Sequence, residues 1–524
     1  SNDNAQITLN TIYDNKYGIC NGAYPGSIDN TLIEGNTIHD SQNYGVCLYY
    51  DTNTTVRGNT IYNSSWGVYA SSSSGAEIGD GNVVYANRSG GIRAYHGNVN
   101  ISDNEVFQNN AYGIYLDYYG THTVRGNDVH GNVTGIYSHS LSSRHRVEGN
   151  RVYNNSDAGI YLYMYRNGGS LSALGNVVYS NSIGIKAQRS NYNSVWDCRI
   201  ENNLVYANTN HGIWLGNVPN PQIVNNTVYQ EVGDAVHIQD SSSGVNLRNN
   251  ILWVEAGYDI FVDPNSEVGF ASDYNDLLAT GTGQLANWAG QGFSSLVDWR
   301  YEIGQDWHSQ TAVPQFIDID GADDILGFSW AVESGYSPVI VDDGEAAFSA
   351  DPVVDWAAGP AGHDGDSQQT SGTTGDRTAT WTFDGLDPDA YYEVAVTWPA
   401  DASNTYWAPY QVRNGAGAVF AAETRIDQRQ APIGINYGGT DWQRLGYFRP
   451  LDTSLVVEVS NYLAYSGNTV ADAVLVRRIV GEHGPDDVFD VPSTSPTIDA
   501  GDPLDYYLSK PTPSKKHINQ GHTG

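Results

Sequence analysis

An asparagine that recurs every 22 to 27 residues is the feature that most constrains how this chain folds. It opens a short apolar and aromatic segment, first as "NTIY" at residue 10 and later as "NVVY" at 82 and "NTVY" at 226. The full series is Asn10, Asn36, Asn59, Asn82, Asn104, Asn127, Asn150, Asn176, Asn203, Asn226, Asn250 and Asn275. A repeat of this length is typical of solenoids, in which each unit packs only on its neighbours.

Each unit contains three strand-length segments separated by turn residues, of the forms "xVRG", "NxVY" and "GIYLx". The apolar residues alternate with a period of 2, which indicates strands and excludes a helical repeat. Three short strands per unit predict one coil of a parallel β-solenoid, so the fold class is all-β with about 11 to 12 coils. We expect Val106, Ile114, Leu116 and Val124 to point inward and to stack in an apolar column. Because coils repeat at about 4.8 Å, each asparagine amide can bond the next.

Composition limits the partners of this chain. Its 25 basic and 59 acidic residues give a formal net charge of −34, which argues against binding to nucleic acid or to an anionic membrane surface. No run of 18 apolar residues occurs, and we expect no membrane insertion. The chain begins at Ser1 and its single methionine is Met164, which favours a processed chain or a piece of a longer protein with neighbouring domains. Cys20 and Cys47 fall at equivalent positions of adjacent coils, where they could form a disulfide after export.

These repeats resemble right-handed parallel β-helix proteins of the pectate-lyase-like superfamily, a group that includes lyases, alginate epimerases and surface proteins. The resemblance covers residues 1–320 and reaches "VPQFIDIDGADD", which is similar to the end of such solenoids. Their usual closing segment, "SPTIDAGDP", occurs only at 495–503. A second domain is therefore predicted between the two.

The intervening residues lose the repeat and contain alternating segments such as "YYEVAVTW" and "SLVVEVSN" with Gly, Asp and Pro turns. This pattern predicts an antiparallel β-sandwich. The order of motifs resembles the golvesin-type domain of xanthan-lyase-like proteins, which is similar to carbohydrate-binding sandwich modules. The predicted organisation is a β-helix with its closing segment at 1–330, a golvesin-like insertion at 331–480, and a return segment at 481–524 that completes the β-helix.

Two outward columns of the solenoid differ in character. The column after the ladder asparagine carries a ring in each of eleven successive coils, from Tyr13 and His39 to Trp253, which indicates structural stacking. The strand that begins at "GI" instead mixes aromatic and titratable residues in the middle coils. In the enzymes that the repeat resembles, the corresponding sheet forms the substrate cleft.

Asp117 and His139 occupy equivalent outward positions on adjacent coils of that sheet, about 5 Å apart. Asp117 could fix the tautomer of His139 and raise its basicity. The catalytic hypothesis is a β-elimination on an acidic polysaccharide. In it Arg93 neutralises the uronate, His139 or Tyr137 removes the C5 proton, and Tyr163 protonates the leaving oxygen.

Several further residues are candidates for binding sugar, because pyranose rings pack on aromatic faces and cations pair with uronates. On the solenoid they are Tyr69, Tyr95, Tyr115, Tyr161, Lys186 and Trp214. In the sandwich, Tyr406 and Trp407 lie in the polar loop "DASNTYWAPY" and are better candidates than Trp381 and Trp398, whose strand patterns predict core positions.

Two other reactions fit the residues less well. A glycosidase needs a pair of facing carboxylates, and Asp117 has no acidic neighbour on its face. The epimerase-like signature Tyr-Gly-x-Asp-Pro-His is absent, since "YGIYLDYYGTH" has the right residue types at the wrong offsets.

The segment "DIDGADD" places Asp318, Asp320, Asp323 and Asp324 around a glycine and resembles short calcium loops, although it lacks the full twelve-residue pattern. A solvated acidic loop is the alternative. Calcium is the one cofactor that the sequence suggests.

Two functions stay open from the sequence. The first is an extracellular or cell-surface protein that binds a polysaccharide or surface glycan and, as an enzyme, cleaves it like a polysaccharide lyase. The second is a non-catalytic structural or adhesive segment of a large surface protein. A groove in which Asp117, His139 and Arg93 converge would favour the enzyme, and a face whose groups are mutually buried would count against it.

Overall fold

The structure is a computed structural model that describes residues 4–22, 29–166, 168–190, 196–372, 377–420, 423–462, 467–503 and 520–522. The chain divides into two compact units, Ser1–Phe328 with His483–Gly524, and Ser329–Glu482. The first unit is a parallel β-solenoid and the second is built from antiparallel sheets. The predicted all-β class and the parallel solenoid are confirmed.

The solenoid has three strands in each coil, and we number its sheets by the order of those strands after the ladder asparagine. The first sheet contains Thr11–Tyr13, Thr37–His39, Thr60–Tyr62, Val83–Tyr85, Glu105–Phe107, Asp128–His130, Arg151–Tyr153, Val177–Tyr179, Leu204–Tyr206, Thr227–Gln230, Ile251–Val254 and Asp276–Ala279. The second sheet contains Tyr17–Asn21, Tyr44–Tyr49, Tyr112–Tyr118, Thr134–Ser140, Ala158–Met164, Ile183–Arg189, His211–Gly216, Asp234–Gln239, Tyr258–Val262, Gln284–Trp288 and the antiparallel Gln291–Phe293.

The third sheet precedes each ladder asparagine. It contains Gln6–Thr8, Leu32–Glu34, Thr55–Arg57, Thr121–Arg125, Arg144–Glu148, Gly169–Leu174, Trp196–Glu201, Gln222–Val224, Asn246–Arg248 and Ala271–Asp273. Trp66–Gly79 and Gly90–Ser102 each run through the corner between the second and third sheets. The second and third sheets are therefore hydrogen-bonded into one continuous sheet.

The interior of the solenoid is an apolar column to which all three sheets contribute. Val106, Ile114, Leu116 and Val124 are fully buried in it, as the alternation predicts. The α-helix Leu296–Ile303 follows the last coil and packs its buried Trp299 into the same cluster.

The ladder asparagines bond from coil to coil, as predicted. Asn104 Nδ2 donates to Asn127 Oδ1 at 2.8 Å, and Asn127 Nδ2 donates to Asn150 Oδ1 at 2.9 Å. A second ladder, which was not predicted from the repeat, links Asn87, Asn109, Asn132, Asn155, Asn181 and Asn208 in the same way. Both ladders satisfy buried backbone groups at the corners of the coils, where no strand pairing is available.

Two glycine positions explain further parts of the repeat. The residue before each ladder asparagine is left-handed, as in Gly58 (φ 60°) and Asn225 (φ 56°), which accounts for the Gly, Asn or Asp found at ten of the twelve positions; Leu9 and Tyr274 adopt the same conformation at the first and last. The glycine of "GI" is needed for close approach. A Cβ on Gly113 would lie 2.6 Å from Gly135 O and 2.9 Å from Asn132 Nδ2.

The outward rings of the first sheet stack on one another, which confirms the structural interpretation of this column. Successive ring centroids are 5.2 Å apart for Tyr85 and Phe107, 4.9 Å for Phe107 and His130, and 5.1 Å for Tyr153 and Tyr179. The return segment adds to this stack, because Phe489 lies 4.7 Å from Tyr206.

The disulfide suggested by the sequence is present, between Cys20 and Cys47. The two cysteines are paired in register on the second sheet, one coil apart. Cys198 is a free, buried cysteine.

The inserted unit contains two main antiparallel sheets. One is formed by Phe328–Val332, Val474–Glu482, Tyr392–Val396, Thr440–Phe448 and Gly434–Tyr437, with Val339–Val341 also paired to Val474–Glu482. The other is formed by Phe348–Asp351, Thr378–Asp384, Ser454–Ser460, Ala408–Asn414 and Thr424–Ile426. A small third sheet contains Ala357–Gly359, Ser367–Ser371 and Asn468–Ala471, and short 3-10 turns occur at Val353–Asp355 and His363–Gly365 here and at Gly484–Asp486 in the return segment.

Two aspartates are buried near the end of the solenoid. Asp259 is fully buried, and within the described part of the chain neither of its carboxylate oxygens has a partner in full hydrogen-bond geometry. Asp276 is also fully buried, and its Oδ1 accepts a hydrogen bond from Ala312 N at 2.8 Å. Burial raises the pKa of Asp276 to about 7, and burial followed by the charge of Asp276 raises the pKa of Asp259 well above its usual value.

We therefore expect the Asp276→Asn variant to flatten the dependence of stability on pH. Because the folded state holds this proton more tightly than the unfolded chain, stability conferred by Asp276 grows as pH falls from about 7 toward 4. Between pH 7 and 5 the wild type should gain about 2 kcal/mol of unfolding free energy relative to the variant.

Denaturant titrations of both proteins at several pH values measure this difference. The wild type has to be compared with the variant, because other groups also change stability with pH. Burial lowers the pKa of His122 to about 4, so this histidine reduces stability as the pH falls, opposite to the effect of Asp276. Parallel pH profiles for the two proteins would contradict the prediction.

Candidate functional site

The outward face of the second sheet places the predicted site residues in two adjacent columns. The first column pairs Arg93, Tyr115, Tyr137, Tyr161, Lys186, Trp214, His237 and Phe261 in register. The second pairs Tyr95, Asp117, His139, Tyr163 and Gln188. Nearly all of these outward side chains are half-buried.

Asp117 is the exception, because it is completely buried between its neighbours. Its Oδ2 accepts a charge-assisted hydrogen bond from Arg93 Nη2, diagonally across one coil. Its Oδ1 lies 3.3 Å from His139 Nδ1, on the coil at the other side. The structure thus brings the half-buried Arg93 and His139 together around the buried Asp117 as one charge network.

Arg93 is enclosed by aromatic rings. Its guanidinium carbon lies 5.5 Å from the ring centroid of Trp66, 5.6 Å from those of Tyr69 and Tyr95, and 5.1 Å from that of Tyr115. These cation–π contacts and the pair with Asp117 hold the charge inside the protein. Arg93 is consequently occupied, which disfavours the predicted role in neutralising a uronate.

His139 is held by groups on its Nδ1 side. This nitrogen lies 3.2 Å from the Tyr115 hydroxyl as well as near Asp117, and a carboxylate there favours a proton on Nδ1. The Nε2 atom would then be the basic nitrogen, but it is buried, and no described residue forms a hydrogen bond with it. A substrate proton could reach Nε2 only if neighbouring rings moved.

The predicted tyrosines of this face are held in the neutral form. Burial is the largest cause that raises the pKa values of Tyr115, Tyr137, Tyr161 and Tyr163. A neutral phenol donates hydrogen bonds but is a poor base. Tyr137 is therefore the weaker of the two candidates for proton abstraction, and Tyr163 keeps the proton that an acid would need.

Lys186 is a cation of this face that carries no carboxylate partner within 4 Å among the described residues. Its ammonium group lies 4.6 Å from the ring centroid of Tyr161 and 5.4 Å from that of Trp214. The Tyr161 hydroxyl donates to Gln188 Oε1, which fixes the ring beside the lysine. An ammonium group between two half-buried rings is a suitable contact for an acidic sugar.

The sandwich residues predicted to bind sugar form a separate pair. Tyr406 is 37% exposed and its ring centroid lies 6.1 Å from that of Trp407. Arg429 and Arg425 lie over Tyr406 and Trp407 at 5.0 and 4.5 Å. Trp381 and Trp398 are buried, as their strand patterns predicted.

The aspartates of the acidic loop at 318–324 contact different parts of the protein. Asp318 pairs through its backbone with Val488, and Asp323 Oδ2 contacts His483 Nδ1. Among the described residues, Asp318, Asp320, Asp323 and Asp324 do not supply three ligand atoms within 4.8 Å of one another. Calcium binding by this loop stays a prediction.

One cluster on the second sheet was missed. His237 Nδ1 lies 2.7 Å and His211 Nδ1 3.5 Å from Asp234 Oδ2, and ligand atoms of the three lie within 4.8 Å of one another. Two imidazoles and a carboxylate suit a transition metal. The register of "HGIW" with "DAVH" is the signal that could have located it, because it pairs His211 with Asp234.

Stacked parallel coils, asparagine ladders and a ring-lined outward face define a parallel β-helix. The chain belongs to the right handed beta helix region family, whose model matches residues 1–145, 79–203 and 122–272, together more than half of the sequence. Residues 339–478 match the golvesin C-terminal domain. Both predicted resemblances are confirmed.

Similar solved structures include a xanthan lyase from Paenibacillus, at 23% identity over 27% of this chain and with a TM-score of 0.22. The chain covers 13% of that lyase. The A-module of a mannuronan C-5 epimerase from Azotobacter vinelandii matches at 14% identity over 60% of this chain and 92% of the module, with a TM-score of 0.45. A tailspike protein mutant of E. coli bacteriophage HK620, in complex with a pentasaccharide, matches at 11% identity over 87% of this chain and 76% of that chain, with a TM-score of 0.34.

No sequence among curated proteins matches this chain. Among the described residues, no helix is long and apolar enough to span a membrane.

Proposed function

We propose that the second-sheet face binds an acidic polysaccharide at the surface of a cell or outside it. The observation that carries this proposal is the column of half-buried rings that includes Tyr161 and Trp214, with Lys186 between them. Coils repeat at about 4.8 Å, so an extended glycan lying across them meets a ring or the Lys186 ammonium at successive steps. The ammonium group of Lys186, which has no carboxylate partner among the described residues, supplies a contact for a uronate carboxylate.

Binding without chemistry fits the geometry better than β-elimination does. Arg93 is committed to Asp117, and the Nε2 atom of His139 is covered. Lyase activity is the second candidate, favoured by the position of His139 Nδ1 beside Asp117, which would make Nε2 basic if it became accessible. A purely structural or adhesive segment is the alternative to both.

Polysaccharide binding can be measured by calorimetry with a panel of uronic-acid polymers and matched neutral polymers. We expect Trp214→Ala and Lys186→Ala each to weaken binding of the acidic polymer by about tenfold or more, since a buried contact in a binding site contributes about 1.4 kcal/mol or more. Lys186→Ala should change binding of the neutral polymer much less.

Tyr13→Ala is the matched control, because Tyr13 is an exposed ring on the first sheet, away from this face. Equal losses in the control and in Trp214→Ala would overturn the assignment of the face. If the wild type bound no polymer, a structural segment would be favoured instead.

The lyase candidate has a separate readout, the ultraviolet absorbance of the unsaturated sugar that β-elimination produces. If the reaction occurs, His139→Ala should abolish the signal while leaving binding largely intact. A wild type that binds but yields no unsaturated product would remove the lyase candidate and leave the binding proposal standing.

A further inference from the structure

Three aspartates of the sandwich unit meet in one buried cluster. Asp342 and Asp343 follow the strand Val339–Val341, and Asp472 precedes the strand Val474–Glu482. Val341 pairs with Val474 in antiparallel register, which brings the residues just beyond this pair, Asp342 and Asp343 on one strand and Asp472 on the other, close together. One carboxylate oxygen from each of the three aspartates lies within 4.8 Å of the others.

The carboxylates of this cluster are removed from water. Asp342 is 7%, Asp343 6% and Asp472 1% exposed. Among the residues that the structure describes, no donor meets hydrogen-bond geometry with either oxygen of Asp343 or with Asp342 Oδ1. Asp472 is partly satisfied, because His363 N donates to its Oδ1 at 2.9 Å and to its Oδ2 at 3.1 Å.

No Lys or Arg among the described residues forms an ion pair with any of the three. Three like charges at such distances, with unpartnered oxygens, are costly to bury unless a cation lies between them. Asp343 contributes most to this cost, since both of its oxygens are buried beside the other carboxylates and, among the described residues, neither has a donor in full hydrogen-bond geometry. Burial raises the pKa of Asp343, although the Gln368 amide lies near enough to offset part of that rise.

We propose that Asp342, Asp343 and Asp472 bind a calcium ion. The three groups offer only oxygen ligands, which suit hard cations and disfavour zinc. Calcium accepts six to eight oxygens in flexible geometry and is held by protein cages, whereas magnesium keeps most of its waters. This site is distinct from the acidic loop at 318–324, which lies in the other unit.

The first test is thermal unfolding of the full chain at neutral pH, after chelation and then with added calcium, magnesium or zinc chloride. We expect about 1 mM calcium to raise the melting temperature of the sandwich transition by about 5 °C, and the other ions to act less. No shift with calcium would mean that the carboxylates share a proton instead, and would overturn the proposal.

The second test uses Asp343→Asn and Asp472→Asn, which keep the shape and remove one charge each. In the chelated state both variants should melt at or above the wild type, because repulsion is relieved. With calcium they should melt below it. This crossover separates loss of a ligand from a general folding defect.

Asp320→Asn, in the acidic loop of the other unit, is the control and should keep the calcium shift of the sandwich transition. Equilibrium dialysis with radioactive calcium then counts the ions, and Asp343→Asn should bind one fewer than wild type. Variants that bind as many ions as wild type would overturn the assignment to these residues.

Discussion

Replacing Arg93 with alanine is expected to destabilise the solenoid by about 3–5 kcal/mol, because the change leaves Asp117 buried without its cation. The four rings around the guanidinium also lose their packing partner. A denaturant titration measures the loss as a shift in the unfolding transition of the solenoid. The unfolding transition of the sandwich serves as an internal reference.

Arg57→Ala is the matched control. Arg57 also pairs with a carboxylate one coil away, Glu34, which is its direct register partner, but their side chains are 41% and 39% exposed. A surface ion pair contributes about 0–1 kcal/mol, so the control should be nearly neutral. Similar losses in the two variants would show that Asp117 is not desolvated as the structure has it.

A double variant extends this prediction to the network. Arg93→Met with Asp117→Leu should recover most of the stability lost by Arg93→Ala, since replacing both charges removes the cost of burying either one. The same variant removes the group that orients His139, so its effect on glycan binding would show whether the network serves only folding.

Much of the fold followed from the sequence because a solenoid repeats the same local physics in every coil. The period of the ladder asparagines fixes the length of the coil, and alternation fixes which side chains point inward. Register then places Asp117 opposite His139, as expected. The ring column of the first sheet was predictable for the same reason.

The remaining features depend on side-chain direction or on distant segments. Arg93 is in register with Tyr115, so its diagonal pair with Asp117 depends on how the guanidinium bends. The second asparagine ladder lies in turns that are rich in Asn and Ser, where no single residue stands out. Asp342 and Asp472 are separated by about 130 residues, and only the pairing of two strands reveals that they meet.

The charge network of Arg93, Asp117 and His139 and the column of rings near Lys186 lie on the same face but require different degrees of burial. Desolvated groups such as Asp117 stabilise a unique packing of the coils, whereas ligand binding needs surface that is still partly open. The half-buried rings near Lys186 retain that surface beside a cation with no carboxylate partner among the described residues, whereas the cation among the rings around Arg93 is paired with Asp117. We therefore propose that a glycan would contact the later coils, from Tyr161 onward.

Asn127→Ala is expected to cost about 2–5 kcal/mol, because one side chain satisfies several buried groups. Its Oδ1 accepts hydrogen bonds from Asn104 N at 3.1 Å and Asn104 Nδ2 at 2.8 Å, and its Nδ2 donates to Ile101 O at 3.0 Å. Alanine orphans the Asn104 N–H and the Ile101 carbonyl, and each buried unsatisfied group costs about 1–3 kcal/mol.

Asn10→Ala tests whether the loss comes from the ladder itself. Asn10 is exposed at the first coil and donates to Asn36, but no described residue donates to its own side-chain oxygen. Its replacement should cost about 1 kcal/mol or less, since no buried partner is orphaned. Hydrogen exchange gives a local readout, in which the Asn104 amide should exchange faster in Asn127→Ala than in wild type. An unchanged rate would mean that the ladder bond does not protect that amide, and the stability loss would then have to come from packing alone.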